Sequence, residues 1–164
     1  DLRRLSRALV EAHYMKNGAD AAEAAAAVIA VDPNWAAPQY DYAEILMSSG
    51  DLVGAELAAR RAAELSPNSV TFSNLHANLL MRLGRNDEAL VAFNRTLGLR
   101  SRHYASLCGK AVVLSRRGET AEAFKMLDLA ISIRPRLKRA YQLRDSMNEK
   151  VQIARDADSG EEDM

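Results

Sequence analysis

The chain has 164 residues, in which 22 basic side chains balance 22 acidic ones. This balance excludes a global field that would draw the chain to nucleic acid or to an anionic membrane. Aromatic residues make up only 5% of the chain while alanine is abundant, a composition typical of closely packed helices rather than of a sheet. No apolar run approaches the ~20 residues that span a bilayer, so membrane insertion is not expected.

The cysteine content and the first residue bear on the cellular context. Cys108 is the single cysteine, so an internal disulfide is excluded and the redox compartment stays open. As the location of the protein, the cytoplasm is favoured over the periplasm. The chain begins at Asp1 without a signal-like segment, and we expect a processed product or a piece of a longer protein.

The start of the chain, up to Trp35, predicts two helices. The first should end near residues 17 and 18, where the helical spacing of its apolar residues stops. The second is expected to open at Asp20, whose side chain can accept from free backbone N–H groups, with Glu23 three residues later as in a capping box. It should stop at Asp32 and Pro33, because proline lacks the N–H and disfavours helix in the residue before it. The spaced apolar residues of the first helix are Leu2, Leu5, Leu9 and Ala12.

From there onward, similar residues recur at a fixed period of about 34 residues, which is called the repeat step below. Such a period indicates a solenoid built from one repeated pair of helices. Gly50, Gly84 and Gly118 are separated by this step, as are Pro33 and Pro67. The units predicted in this way are an irregular one at 2–35 and three regular ones at 36–69, 70–103 and 104–137.

Each regular unit predicts two helices joined at its glycine, which supplies the positive φ that a helix end commonly needs. Small residues recur at matched heights on both helices, and we expect them to be buried where the helix axes approach closely. A leucine follows three residues after the small residue of each first helix. The small residues are Ala43, Ala77 and Ala111 in the first helices and Ala55, Ala89 and Ala123 in the second, and the leucines are Leu46, Leu80 and Leu114.

After Pro135 the period breaks. The glycine position becomes Gln152, yet apolar residues still recur at helical spacing. We interpret 138–155 as a single capping helix, apolar on the side that faces the last unit and polar on the other side. Residues 156–164 are acidic and lack apolar spacing, which predicts a solvated, disordered tail.

The helix–turn–helix unit resembles the tetratricopeptide repeat, whose pattern has a small residue in the first helix, a glycine at the turn, alanines in the second helix and a proline at its end. The resemblance covers about 2–137 and implies an all-α, right-handed solenoid of four repeats plus the C-terminal capping helix. Ser101 departs from the pattern in place of a terminal proline, and the aromatic residues typical of the first helix are largely replaced. Their replacements are Gln39, Ser73, Leu80 and Leu114.

The same resemblance implies that the first helices line a concave groove that holds a peptide or a partner helix. Asn74 and Asn78 lie one helical turn apart and offer donors and acceptors to the backbone of an extended ligand. Met47 and Met81 would offer adaptable apolar contact. The residues carried over by spacing, called the groove below, are Tyr40, Glu44, Met47, Asn74, Asn78, Met81, Arg82, Cys108, Val112, Arg116, Gln142 and Lys150.

Charge predicts part of the chemistry of the groove. Arg82, Arg116 and Lys150 follow each other at the repeat step, which places them in a column along one side. We expect a protein or peptide partner with acidic residues that meet this column, and the chain's own acidic tail is one candidate occupant. A carboxylate clamp of the kind used by some tetratricopeptide proteins is incomplete, because Ala105 and Gly109 stand where further polar groups are needed. The alternative is that all these positions are ordinary solvated faces of helices.

The residues offer little for catalysis, and no cofactor or metal is expected. His13, His76 and His103 share no metal-ligand spacing with one another or with Cys108. His76 is interpreted as a packed, hydrogen-bonded histidine rather than a base. Basic runs near the start of the chain and at 134–139 lack interleaved aromatic residues, so nucleic acid is not an expected partner.

These observations predict a non-catalytic interaction module that binds a protein or peptide partner in its groove. Two alternatives stay open. In the first, the chain is a regulatory or substrate-recruiting domain of a larger enzyme. In the second, it is a self-associating structural scaffold and therefore a homo-oligomer.

Overall fold

The structure is a computed structural model that describes residues 18–161, with side chains described for 20–157. This part of the chain contains eight α-helices and no strand, which confirms the predicted all-α solenoid. The first predicted helix, from Leu2 to Ala12, lies outside the described residues. The helices are α1 (Gly18–Val31), α2 (Ala36–Ser49), α3 (Leu52–Leu65), α4 (Val70–Arg82), α5 (Asn86–Leu99), α6 (Tyr104–Arg116), α7 (Thr120–Ile133) and α8 (Lys138–Glu161).

The helices stack in chain order. The pairs α2–α3, α4–α5 and α6–α7 pack internally, and each pair packs on its neighbours. First helices also meet across unit boundaries, α4 with α6 and α6 with α8. Helices of 13 or 14 residues are marginal alone in water, so each helix is stabilised by packing on its partner within the unit and on the neighbouring units.

Left-handed glycines end the first helix of each regular unit, as predicted. Gly50, Gly84 and Gly118 have φ values of +92°, +75° and +81°. In each unit the residue after the glycine donates its N–H to the carbonyl of the regularly spaced leucine in the last turn. Each bond satisfies a carbonyl group that a helix end otherwise leaves free. The donor–acceptor pairs are Asp51–Leu46 and Arg85–Leu80 at 3.0 Å and Glu119–Leu114 at 2.9 Å.

Alanines form the centre of each unit. Ala55, Ala89 and Ala123 are each 0% exposed, which confirms their predicted burial between the two helices. Phe93 of α5 is also fully buried, and its ring lies against the backbone of Gly109 in α6. Small residues thus let helices approach closely, while a few large side chains fill the space between units. The small residues of the first helices are buried too, and they are Ala43, Ala77 and Ala111.

The first described helix begins earlier than expected. Because α1 is already helical at Gly18, Asp20 lies in its first turn instead of capping it. An acidic residue there still favours the helix, since the free backbone N–H groups give this end partial positive charge. Ala21 and Ala25 pack with Ile45 of α2. The helix therefore takes the place of a second helix in the irregular first unit, and it ends at Val31, before the proline, as predicted.

The last helix is longer than the predicted cap. Ala140 and Met147 are buried in a core cluster with residues of the fourth unit. The helix continues to Glu161, which corrects the expectation that a disordered tail begins at 156. No proline or glycine stands before Gly160 to end it earlier, and residues 162–164 lie outside the described range. Of the described helices, none is long and apolar enough to cross a membrane.

Candidate binding groove

The groove residues lie on α2, α4, α6 and α8. Tyr40 of α2 packs on Phe72 of α4, and α4 meets α6 and α6 meets α8 directly, so neighbouring first helices are in contact along this surface. Most groove residues are accessible on that surface. Tyr40, Glu44, Met47, Asn74, Asn78 and Val112 are half-buried, and Arg82, Arg116, Gln142 and Lys150 are exposed.

Two predicted members do not reach the surface. Met81 is 8% exposed and packs in a cluster with Val113 of α6, and Cys108 is 0% exposed and packs in a cluster with Ala140 of α8. Burial also raises the pKa of the Cys108 thiol above its ordinary value. In both cases the next first helix covers the edge of the face that helical spacing assigns to the groove. Met81 and Cys108 are therefore corrected to core residues.

Tyr40 and Glu44 form a fixed pair on α2. The Tyr40 hydroxyl donates to Oε1 of Glu44 at 2.6 Å, and its ring packs on that of Phe72 in α4 with centroids 5.1 Å apart. Burial, and then the Glu44 carboxylate, raise the pKa of Tyr40 well above its usual range. The phenol therefore stays protonated at physiological pH and holds the carboxylate in one orientation.

A hydrogen-bond chain from the fourth unit holds Asn74. Ser106 Oγ donates to Oδ1 of Asn74 at 2.8 Å, and Nδ1 of His103 lies 2.8 Å from the same serine oxygen. Since a serine has one proton to donate, His103 donates its Nδ1–H to Ser106. Burial, followed by the charges of Arg100 and Arg134, lowers the pKa of His103 and favours its neutral form. Asn74 is thus oriented by a neutral chain of side chains.

Asn78 completes the pair on α4. Its Nδ2 donates to the backbone carbonyl of Asn74 at 2.9 Å. Within the described part of the chain, Nδ2 of Asn74 and Oδ1 of Asn78 have no hydrogen-bond partner. The two side chains are therefore held in place and still present the free amide nitrogen of Asn74 and the free amide oxygen of Asn78, one helical turn apart.

The basic column divides into two roles. Arg116 Nη1 donates to the carbonyl of Met81 at 2.7 Å, so it closes the C-terminal end of α4 from the neighbouring unit. Arg82 and Lys150 are exposed, and neither makes a hydrogen bond or ion pair with any residue in the described range. Arg116 therefore stabilises the stacking of the two units, whereas Arg82 and Lys150 remain available to a ligand.

An ionic cluster lies away from the groove, between the second and third units. Glu56 of α3 is 3% exposed, and its carboxylate lies 2.9 Å from Nε2 of His76 and 3.3 Å from Nη1 of Arg85. This contact agrees with the interpretation of His76 as a packed, hydrogen-bonded residue. Among residues 18–161, no group of three or more His, Cys, Asp or Glu side chains could hold a metal ion.

Sequence reasoning missed Ser106 and Glu56 as supporting residues. Ser106 stands one repeat step after Phe72, and Glu56 stands one repeat step before Leu90. The sequence does contain a signal for both residues, since each is polar at a position where the neighbouring unit has a large apolar residue. It indicates a buried polar contact but does not identify the partner.

The fold and the groove together define a class of protein: an all-α solenoid of helix pairs whose neighbouring first helices are in contact along one surface. A family model for the tetratricopeptide repeat matches residues 5–70 and 74–137. The chain belongs to the tetratricopeptide repeat family.

Solved structures of the same fold cover most of the chain. A MamA protein aligns with a TM-score of 0.85 at 18% identity, over 96% of this chain and 86% of the other. MamA from residue 41 to its end, from Desulfovibrio magneticus RS-1, gives a TM-score of 0.86 at 13% identity, over 96% and 89%. YrrB, described as a tetratricopeptide protein with an unusual peptide-binding site, aligns with a TM-score of 0.81 at 20% identity, over 86% of this chain and 73% of YrrB. At these identities the likeness shows the fold alone, and no curated protein matches the chain.

Proposed function

We propose that the chain is a non-catalytic interaction module that holds a segment of a protein partner in the groove. The observation that carries the proposal is the Asn74–Asn78 pair, which Ser106 helps to orient and which keeps Nδ2 of Asn74 and Oδ1 of Asn78 unused. Recognition of a peptide backbone requires free hydrogen-bond donors and acceptors at fixed positions, because each peptide unit offers one N–H and one C=O.

The centre of the groove recognises backbone, and its neighbours contact side chains. In an extended segment a carbonyl accepts from Nδ2 of Asn74, and a nearby N–H donates to Oδ1 of Asn78. Met47 of the second unit and Val112 of the fourth unit are half-buried. They supply apolar contact on either side of the asparagines, and the unbranched methionine adapts to different partner side chains.

Charge sets the direction of the segment. Arg82 and Lys150 are exposed, so an ion pair with each contributes ~0–1 kcal/mol and affects register and encounter rate more than affinity. Glu44, held by Tyr40, disfavours acidic groups near α2. We therefore expect a segment with acidic residues toward α8. Residues 156–161 continue α8, which removes most of the acidic tail as a candidate occupant.

Two comparisons support an interaction role. The chain belongs to a repeat family whose members are typically non-catalytic and bind protein or peptide partners. YrrB, whose description names a peptide-binding site, shares the fold at a TM-score of 0.81.

Panning a random peptide library against the full chain, followed by calorimetry on the selected peptides, tests the proposal. Replacing both Asn74→Ala and Asn78→Ala should weaken binding at least tenfold, because two backbone hydrogen bonds are lost. Asn94→Ala, an exposed change on α5, is the matched control and should bind like the parent chain. Peptides that bind the double variant as tightly as the parent would show that the asparagine pair does not recognise the ligand.

A further inference from the structure

The zero net charge of the whole chain conceals a local excess of basic residues at one edge of the solenoid. No Asp or Glu occurs in residues 89–118 or in residues 129–144. The turn between α5 and α6 and the turn between α7 and α8 lie within these stretches. The exposed basic side chains of the two turns and of the first turn of α8, called the basic edge below, are Arg100, Arg102, Arg134, Arg136, Lys138 and Arg139.

The two turns of the basic edge lie side by side. The guanidinium of Arg134 lies over the ring of Tyr104, the first residue of α6, at 5.7 Å from the ring centroid. Burial, followed by the charges of Arg100 and Arg134, lowers the pKa of His103, so both arginines lie close to the start of α6. Charges from two successive turns therefore form one patch.

The fold does not require arginine at these positions. One and two repeat steps before Arg100, the same turn is formed by Ser66 and by Asp32. In each of these turns the N–H three residues later donates to the carbonyl of this position, at 3.0 to 3.3 Å. Arg102 likewise lies one repeat step after Asn68. Because serine, aspartate and asparagine also form the turn, the arginines supply charge that the backbone does not need.

The basic edge also has no anionic partner within the described part of the chain. None of its side chains makes a hydrogen bond or an ion pair with a residue in that part. At the opposite end of the helices, by contrast, the arginines of the glycine turns are ion-paired, Arg85 with Glu88. The same is true of Arg117, which pairs with Glu119. Lys138 lies in the first turn of α8, where the free backbone N–H groups disfavour a cation.

The position and the apolar content of the basic edge favour a lipid surface over an acidic peptide. A peptide has to be ordered before its carboxylates reach both turns, whereas a membrane presents many anionic headgroups in one plane. Leu99 and Leu137 lie among the basic residues and are 39% and 41% exposed. Basic side chains beside exposed leucines fit anionic headgroups above an apolar layer. Clusters of about four to eight basic residues are typical of such contacts.

We infer that the basic edge binds an anionic lipid surface. Its basic side chains contact the headgroups, Leu99 and Leu137 contact the boundary between headgroups and acyl chains, and no helix is inserted. In this orientation the glycine turns, at the opposite end of the helices, point away from the membrane. No groove residue belongs to the basic edge, so the inference does not depend on the function proposed for the groove.

Co-sedimentation of the full chain with large vesicles tests this inference. In about 0.1 M salt, vesicles of phosphatidylcholine and phosphatidylglycerol in equal parts should bind the chain at least about tenfold more tightly than vesicles of phosphatidylcholine alone. Raising the salt to about 0.5 M should remove most of this difference, because screening weakens the attraction. Equal binding to the two kinds of vesicle, or no binding to either, overturns the inference.

Arg102→Asn together with Arg136→Asn is the sharpest variant, because asparagine occupies the corresponding turns of the earlier units and the fold is kept. Each cation lost near the membrane weakens binding about fivefold, so the pair should weaken it by on the order of twentyfold. Arg60→Gln with Lys125→Gln is the control, since it removes the same charge from exposed sites on α3 and α7 and should bind like the parent chain. Equal binding of the two double variants overturns the inference.

A capped oligoglutamate peptide distinguishes a membrane from an acidic protein segment. Leu137→Ser introduces the residue found two repeat steps earlier, at Ser69, so the turn is kept. It should weaken vesicle binding roughly threefold, because only the membrane offers an apolar contact. Vesicle binding that is unchanged in Leu137→Ser, or displacement of the chain from vesicles by the peptide at equal concentrations of carboxylate and anionic lipid, would assign the basic edge to an acidic protein segment and overturn the inference.

Discussion

Ser106 of α6 donates a hydrogen bond of 2.8 Å to Oδ1 of Asn74 in α4, although the residues are 32 positions apart. The bond crosses the boundary between the third and fourth units, and its donor residue is 0% exposed. It therefore joins two units and orients a groove residue at the same time. Stacking of the units and presentation of the asparagine pair depend on the same contact.

Ser106→Ala should destabilise the chain by ~1–2 kcal/mol, since it leaves both Asn74 and His103 without a buried hydrogen-bond partner. Ser132→Ala is the control, because that hydroxyl is exposed and bonds within its own helix; it should change the stability by less than ~0.5 kcal/mol. Urea unfolding of the three chains measures the difference. Equal unfolding midpoints for the two variants would show that the bond does not join the units.

His103 should make the fold sensitive to mild acid. Burial, followed by Arg100 and Arg134, lowers its pKa in the folded chain below the ordinary value. As the pH falls below ~6.5, the unfolded chain takes up this proton before the folded chain does. The stability that neutral His103 contributes is therefore fully present above that pH and is lost as the pH falls through the folded pKa.

Urea midpoints at several pH values between 7.5 and 5 measure this loss, and His103→Asn should reduce it. Imidazole NMR signals provide an independent check, because neutral His103 should carry its proton on Nδ1 and titrate below the pH of a free histidine. A titration at or above that pH, or an identical acid sensitivity in the variant, would count against the predicted environment.

Two glycines should respond to the same substitution with opposite signs. A Cβ at Gly109 would lie 2.6 Å from Cε1 of Phe93, whose ring is fully buried and would have to shift against its packed neighbours. Gly109→Ala should therefore destabilise by ~1–3 kcal/mol. A Cβ at Gly98 meets nothing within 4 Å, so Gly98→Ala should stabilise by up to ~1 kcal/mol through its helix propensity. Thermal unfolding compares the two, and equal shifts would contradict the packing of α5 on α6.

Ala89 and Ala92 test the register of the second helices. Ala89 is 0% exposed, so Ala89→Leu forces extra methylene groups into a closed contact and should destabilise by ~1–3 kcal/mol. Ala92 is half-buried and lines a cleft of about 280 Å³ between α3, α4 and α5, which has room for a larger side chain. Ala92→Leu should therefore cost much less. Equal urea midpoints for the two variants would mean that the register of α5 is different.

Much of the fold could be predicted from the sequence because the same local requirements recur at each repeat step. A glycine is needed wherever a first helix ends in the left-handed region, and Gly50, Gly84 and Gly118 adopt it. Small residues are needed where two helices cross, and Ala55 and Ala89 lie there with no exposed surface. Both requirements concern contacts within one unit, so the residues of a single unit are enough to predict them.

The rest depends on contacts between units, which the period does not encode. Helical spacing placed Met81 and Cys108 on the groove because it does not include the neighbouring helices that bury them. Arg116 matched the basic column by spacing, but its bond to the Met81 carbonyl arises from the geometry of two stacked helices. The acidic composition after residue 155 suggested disorder, whereas the absence of a helix breaker before Gly160 lets α8 continue.

The asparagine pair is the centre of the proposed groove, and the side-chain amide signals of Asn74 and Asn78 test it most directly. The measurement is a ¹⁵N NMR titration of the full chain with the tightest peptide from the library. We expect the Nδ2 signal of Asn74 to shift most, because that group becomes a donor to the peptide backbone, with smaller shifts along α2, α4 and α6. Unmoved asparagine signals, together with shifts confined to α3, α5 and α7, would contradict the groove.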